Sequence, residues 1–297
     1  MNDDKPSVTL VIGSGSVKCA AAIGVVQALS EEGIAIERVV GCSAGAIFAA
    51  LVALGYTAAD AAEATQRLWT RELTSRRNTR ALLSVLAPRL FGFDLARFGL
   101  RAEQPMVDAL RKVFGSRRVE QAPIPLHITA TDFANGELVD LASGDMVDAI
   151  RASLALPFAF PPVRIGERLL VDGYLADPLP VSVAMKHGAR VIVAVGFESP
   201  YQEEIPSAAR FAFQLSAIMS NNLLKSRFSF HSVAHHSEVI AIIPQFQQRV
   251  RLFDTAKVPY IVEEGARAAR EQLPYLHELL AAEAGPRRRP EAVVAQP

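Results

Sequence analysis

The chain has 297 residues, half of them apolar, with 31 basic and 31 acidic side chains and a formal net charge of zero. That length can bury a large core, as one α/β domain or a domain with an excursion, and the balanced charge offers no basic surplus for nucleic acid and no acidic surplus for a solvated, disordered chain. Two cysteines, Cys19 and Cys42, are too few for a disulfide framework and stand in no metal-ligand spacing, so both read as free thiols in a reducing compartment and no metal is expected.

The first ten residues, MNDDKPSVTL, lack the basic start and small-residue cleavage site of a signal peptide, so a cytoplasmic location is expected. Val8 to Ile12 is a β-branched run that ends in Gly13-Ser14-Gly15-Ser16, and apolar residues at helical spacing follow (Ile23, Val26, Leu29). Arg38 to Gly41 repeats the pattern, turning at Gly41-Cys42-Ser43-Ala44-Gly45 into a helix through Leu54. Val39 to Ala59 carries no charge and is long enough to span a bilayer, yet its glycines and Ser43 read better as strand, tight turn and buried helix. Two successive β-turn-α units favour a parallel sheet with helices on its faces. Further strands are expected at Leu126–Thr131, Arg168–Val171, Arg190–Val195 and Glu238–Ile243.

Between Trp69 and Arg101 seven arginines alternate with leucines and phenylalanines, against only Glu72 and Asp94. Two readings stay open there: an element that lies on a lipid surface, with arginines for anionic headgroups, or an ordinary cap over a site. Ser207–His236 is expected as a long helix broken around Asn221-Asn222, and Ala256–Ala284 as another broken near Pro259 and Pro274. The domain plan is a core over 1–200 that includes the cap-like excursion at 69–101, a helix and strand completion of the same domain over 201–285, and a disordered tail at 286–297.

Gly41-Cys42-Ser43-Ala44-Gly45 matches G-x-S-x-G, in which a sharp strand-to-helix turn exposes a nucleophilic serine. A hydroxyl needs a base. None of His127, His187, His231, His235, His236 and His277 sits in a context that marks a triad member, and each reads as a surface or helix-end residue. Asp172, at the end of the apolar strand Leu169-Leu170-Val171 and before Gly173, is the alternative, since burial there would raise its pKa and make it a better base. An ordinary Asp-Gly turn is the competing reading. Gly13 and Gly15 also suggest a dinucleotide loop, but position 18 is Lys where the third glycine would stand, so no cofactor is expected.

The N-terminal Gly-rich loop, the early G-x-S-x-G and the Asp172-Gly173 pair about 130 residues later together resemble the patatin-like phospholipase family, especially its compact bacterial members. Ala149-Ile150-Arg151-Ala152-Ser153-Leu154-Ala155-Leu156-Pro157 and Asp177-Pro178-Leu179-Pro180-Val181 agree with that likeness, which covers roughly residues 8 to 198. The resemblance implies a three-layer α/β/α fold with a mostly parallel central sheet. It implies a histidine-free pair in which Ser43 attacks a lipid ester, Asp172 takes its proton and an acyl-enzyme forms. It also implies an oxyanion hole from the loop, at Gly13, Gly15, Ser16 and Lys18, with Gly41 and Gly45 framing the serine. The expected partner is a lipid ester, with membrane contact through 69–101. Three departures stand out: Lys18 where relatives carry Arg, Cys19 where they carry Gly, and Tyr174 where they carry a small residue. They keep open a lipid-binding relative without activity, beside an esterase with a Ser-His-Asp triad.

Overall fold

The computed structural model describes residues 6–70, 76–86, 88–92, 94–198, 201, 204–234, 238–251 and 254–284. In chain order they form β1 (Ser7–Ile12), a 3-10 turn (Ser16–Ala20), α1 (Ala21–Glu31), β2 (Ala35–Cys42), α2 (Ala44–Ala53), α3 (Ala58–Leu68), α4 (Thr79–Leu86), α5 (Pro88–Phe91) and α6 (Gln104–Phe114). There follow β3 (Leu126–Asp132), β4 (Leu138–Leu141), α7 (Met146–Ser153), β5 (Val163–Ile165), β6 (Arg168–Asp172), α8 (Val181–Lys186), β7 (Val191–Val195), α9 (Ala208–Ala234), β8 (Glu238–Ile242) and α10 (Val258–Ala284).

The strands join one sheet in the order β5-β6-β3-β2-β1-β7-β8, with β4 also paired to β3. From β8 to β3 every pairing is parallel. Each β-strand alternates its side chains between two faces. Leu10, Ile12, Val39 and Ile128 point into a large core with α1, α2, α3, α6, α7 and α10, whereas Val11, Val40, Ile192 and Ala194 meet α8 and Leu224 of α9. The result is a three-layer α/β/α arrangement around a largely parallel sheet. The C-terminal part shares that core: β8 extends the sheet and α10 packs along α1.

Three details depart from the sequence reading. The strand at Arg168–Asp172 runs antiparallel to β3 rather than with it, and β4 and β5, both antiparallel and only four and three residues long, were not expected. Asn135-Gly136, with Gly136 at φ 76°, is the turn signal that announces the β3–β4 hairpin. Nor are the long helices broken. α9 runs through Asn221 and Asn222, and Asn221 is buried. α10 runs through Pro274, while Pro259 sits in its first turn, where the missing N–H has no intrahelical acceptor to lose.

One parallel and one antiparallel pairing on β3 bring the site together. β2 matches β3 over residues 126–129, β4 over 128–131, and β6 over 130–132. Because the β4 stretch overlaps both others, β4 lies on one edge of β3 and β2 and β6 follow one another along the other edge. Cys42 is in register with Thr129 and Asp172 with Ala130, so the end of β2 and the end of β6 meet.

Of the uncharged stretch 39–59, the first part is β2 and the rest is the turn, α2 and the start of α3, and no helix among the described residues is long and apolar enough to cross a membrane. The tail expected at 286–297 lies outside the described residues, as do 71–75 of the excursion.

Candidate active site

Ser43 occupies the single-residue turn between β2 and α2, with φ 54° and ψ −127°. A serine at positive φ costs roughly 1–3 kcal/mol, so the surroundings must hold it there. Its N–H donates to Ser153 Oγ at 2.7 Å, and Ser153, fully buried at the end of α7, donates in turn to the Thr129 carbonyl at 2.7 Å. The flanking glycines act through space rather than through φ, for neither has a positive value. A Cβ on Gly41 would stand 2.5 Å from that of Ala49, and one on Gly45 would stand 2.4 Å from the Ile12 carbonyl and 2.5 Å from that of Gly13. Those contacts seat α2 against β2 and against the Gly-rich loop.

Ser43 Oγ donates to Asp172 Oδ2 at 2.8 Å. Asp172 is 2 % exposed, and burial raises its carboxyl pKa from 3.8 to about 7, against the opposing pull of the Tyr174 N–H on Oδ1 at 3.1 Å and of the Ser43 hydroxyl. Among the described residues no cation is counted as acting on it, and desolvation dominates. Its backbone is fixed at both ends: the N–H donates to the Ala155 carbonyl at 3.0 Å, and the carbonyl accepts from Thr131 Oγ1 at 2.8 Å.

The Gly-rich loop divides into anchoring and remaining groups. The N–H of Gly13 donates to the Val195 carbonyl at 2.9 Å and that of Ser14 to the Pro178 carbonyl at 2.8 Å, so Gly13, expected as an oxyanion donor, is committed to holding the loop on β7. Gly15 is extended at φ −177° and Ser16 takes φ 60°, the sharp bend that starts the 3-10 turn, with Ser16 Oγ accepting from the Val17 N–H at 2.6 Å. Cys19 lies within that turn and has no positive φ, so the left-handed residue of the loop is Ser16 and no glycine is needed at position 19. Its thiol donates to the Gly13 carbonyl at 3.3 Å. Lys18, also expected at the oxyanion hole, spends one donor of its ammonium on the Glu198 carbonyl at 3.1 Å and lies 5.7 Å from the centre of the Phe246 ring. Tyr174 is half-buried, with its hydroxyl 3.2 Å from Ser216 Oγ on α9, which ties α9 to the residue after Asp172-Gly173.

Among the described histidines none bonds to Ser43 or Asp172. His277 pairs with Glu32, and His187, at the end of α8, meets Asp140. His127 is not the surface residue expected: it is buried on β3 and also meets Asp140. The side chain of His231 and residues His235 and His236 lie outside the described residues. Ser153 is the site residue that sequence reasoning missed. It stands inside the Ala149–Pro157 stretch, but nothing in its spacing shows that its hydroxyl reaches Ser43.

The excursion docks beside this cluster. The N–H groups of Leu100 and Arg101 donate to the carbonyls of Phe158 and Ala159, and the rings of Phe98 and Phe158 meet edge to face at 6.3 Å. Arg76, Arg77, Arg80, Arg89 and Arg97 are exposed, as are Leu83 and Leu90, the latter at 83 %. Leu175 and Phe158, on either side of the Asp172 strand in sequence, are exposed as well.

Comparison with known proteins places this arrangement. An uncharacterized NTE family protein of Mycobacterium tuberculosis is 36 % identical over 190 residues, which cover 64 % of this chain and 49 % of the relative. Lysophospholipase NTE1 of Debaryomyces hansenii is 30 % identical over 189 residues, 64 % of this chain and 12 % of that protein. The chain thus spans about half the length, or less, of these relatives. Among solved structures, VipD of Legionella pneumophila aligns at 16 % identity and a TM-score of 0.47 over 94 % of this chain and 67 % of that one. The family model for patatin-like phospholipases matches residues 10–185, a span that runs from β1 through the Gly-rich loop, Ser43 and Asp172 into α8 and takes in more than half of the sequence, and the chain belongs to that family.

Proposed function

We propose that this chain is a serine acyl-hydrolase of lipid esters, of the phospholipid or acylglycerol type, that works through Ser43 and Asp172 without a histidine. The observation that carries the reading is the 2.8 Å hydrogen bond from Ser43 Oγ to a buried carboxylate whose pKa is about 7. A carboxylate of ordinary pKa is a weak base, whereas one near 7 is about half ionised at neutral pH and is basic enough to take a proton. Ser43 Oγ attacks the ester carbonyl carbon while its proton passes to Asp172 Oδ2. The tetrahedral oxyanion accepts hydrogen bonds from the backbone of the Gly-rich loop beyond Ser14, with the Gly15 N–H foremost, since those of Gly13 and Ser14 serve as anchors. Collapse breaks the ester C–O bond, the alcohol leaves with the proton held by Asp172, and a water deprotonated by the same carboxylate then hydrolyses the acyl-enzyme. Asp172 therefore serves twice.

One relative is named a lysophospholipase, which supports a lipid substrate. The exposed arginines and leucines of the excursion, docked on the Phe158 loop, support contact with an anionic lipid surface beside the site. Hydrolysis of phospholipid and acylglycerol vesicles by purified protein, with Ser43→Ala and Asp172→Asn as controls, tests the reading. Fatty acid release that both substitutions remove supports it. Release that persists in Ser43→Ala contradicts it.

A further inference from the structure

On the sheet face away from α2 and α7, three side chains from three elements converge. His127 is in register with Val40, whose side chain belongs to the α8 layer, so His127 points the same way. Asp140 on β4 is in register with Thr129, two residues further along β3 and hence on the same face. His187 closes the end of α8. His127 Nδ1 lies 2.9 and 3.0 Å from the two oxygens of Asp140, and His187 Nε2 lies 2.8 Å from Oδ2. The two imidazole rings face each other with centres 4.1 Å apart and planes 40° apart.

We propose that His127, Asp140 and His187 bind a single divalent transition-metal ion, of which zinc is the best match, at a structural site separate from Ser43. Two imidazole nitrogens and one carboxylate oxygen form the borderline donor set that zinc prefers over magnesium or calcium. All three ligand atoms fall within 4.8 Å of one another. A tetrahedral ion with bonds of about 2.1 Å holds its ligands about 3.4 Å apart, so the imidazole nitrogens, 2.8–3.0 Å from the Asp140 oxygens, move outward by about half an ångström, which side-chain rotation supplies without backbone movement. His127 and Asp140 are the more buried partners, while His187 keeps a third of its side chain exposed and leaves a path for the ion and for water in the fourth position. Arg38 opposes the site, since its guanidinium donates to the His187 carbonyl at 3.0 Å and places a positive charge nearby. That arrangement lowers affinity without occupying a ligand position.

The site has a direct consequence for the fold. The ion would staple β3, β4 and the end of α8 through residues 13 to 60 positions apart in sequence, and β3 is the strand whose Thr129 carbonyl anchors Ser153. Its effect is therefore on stability, and the Ser43–Asp172 contact does not include it.

The test is calorimetric titration of chelator-treated, full-length protein with zinc chloride, with thermal melts and cobalt absorption in parallel, on wild type, His187→Gln and Asp140→Asn. Wild type is expected to bind one ion, to melt higher with zinc, and to give the visible bands of four-coordinate cobalt. His187→Gln is expected to weaken binding at least about 100-fold, more than losing a group that merely orients a ligand, and to abolish the rise in melting temperature. Because His187 is at a helix end and partly exposed, that variant is expected to melt like wild type without metal, and fluorophosphonate labelling of Ser43 is expected to be unchanged. No saturable binding by wild type would overturn the proposal. Equal binding by both variants would also overturn it, since the ion would then sit elsewhere, for instance on His231, His235 or His236.

Discussion

Two carboxylates lean on β3 from opposite edges, and their surroundings tune them in opposite directions. Asp172, in register with Ala130, is buried with a hydroxyl and a backbone N–H as its hydrogen-bond donors, and its pKa rises to about 7. Asp140, in register with Thr129, is shared by two imidazoles and is held below the usual range. The residue type and the strand are the same. What differs is whether the compensation for burial comes from neutral dipoles or from groups that can carry positive charge. On the first edge the protein keeps a carboxylate that gains a proton readily, and on the second it keeps one that stays an anion.

The largest effect that would break or sharpen this contrast is chemical. Ser43→Ala is expected to lower kcat of ester hydrolysis by at least about 10⁴-fold, and Asp172→Asn by about 10²–10⁴-fold, with circular dichroism unchanged. In wild type kcat/KM should fall about tenfold per pH unit below pH 7, as the base is protonated. A pH profile flat down to 5 would show that Asp172 is not the base.

Stability should separate the two edges by sign. The folded-state pKa of Asp172 is raised, so the stability it lends is complete below its ordinary 3.8 and is lost as pH climbs to about 7. Asp172→Asn keeps an acceptor for the Tyr174 N–H and removes the buried charge, so at pH 8 it should unfold with more difficulty than wild type by roughly 2–4 kcal/mol, with the gap closing toward pH 4. Asp140 has a depressed pKa, so its contribution is present above 3.8 and is lost as pH falls through the still lower folded value. Asp140→Asn should cost about 1.5–3 kcal/mol at pH 7, the worth of a hydrogen bond to a charged group, and less in acid. Urea unfolding of both variants across pH checks the pair, and the same sign for both would dissolve the contrast.

A smaller effect is expected from Ser153→Ala. Losing the bond that holds the Ser43 N–H should cost about 1 kcal/mol and lower kcat by about tenfold, with KM little changed, as read from steady-state kinetics.

Much of the frame was legible in the sequence. Val8–Ile12, Val39–Val40, Leu126–Thr131 and Val191–Val195 announce buried parallel strands because both faces of such a sheet are covered and every position can be apolar. The positions of Ser43 and Asp172 at strand ends beside glycines were legible, although β2 runs parallel and β6 antiparallel to β3. Pairings were not. β4 and β5 are too short to carry a periodic signal, and without the β3–β4 hairpin nothing shows that His127 and Asp140 share a face. Ser153 was illegible for the same reason, since its partner Ser43 is 110 residues away. The Gly-rich loop was half legible: the glycines showed a loop between strand and helix, but only the backbone shows that the Gly13 N–H is bonded to β7 and that the left-handed residue is Ser16.

The central claim is that Ser43 is an activated nucleophile and Asp172 is what activates it. Intact-mass measurement of fluorophosphonate labelling at pH 8, on wild type, Ser43→Ala and Asp172→Asn, tests it most directly. The account predicts one adduct per wild-type chain, none on Ser43→Ala and labelling at least about tenfold slower on Asp172→Asn. A folded wild type that takes no adduct, or an adduct that persists in Ser43→Ala, would contradict it.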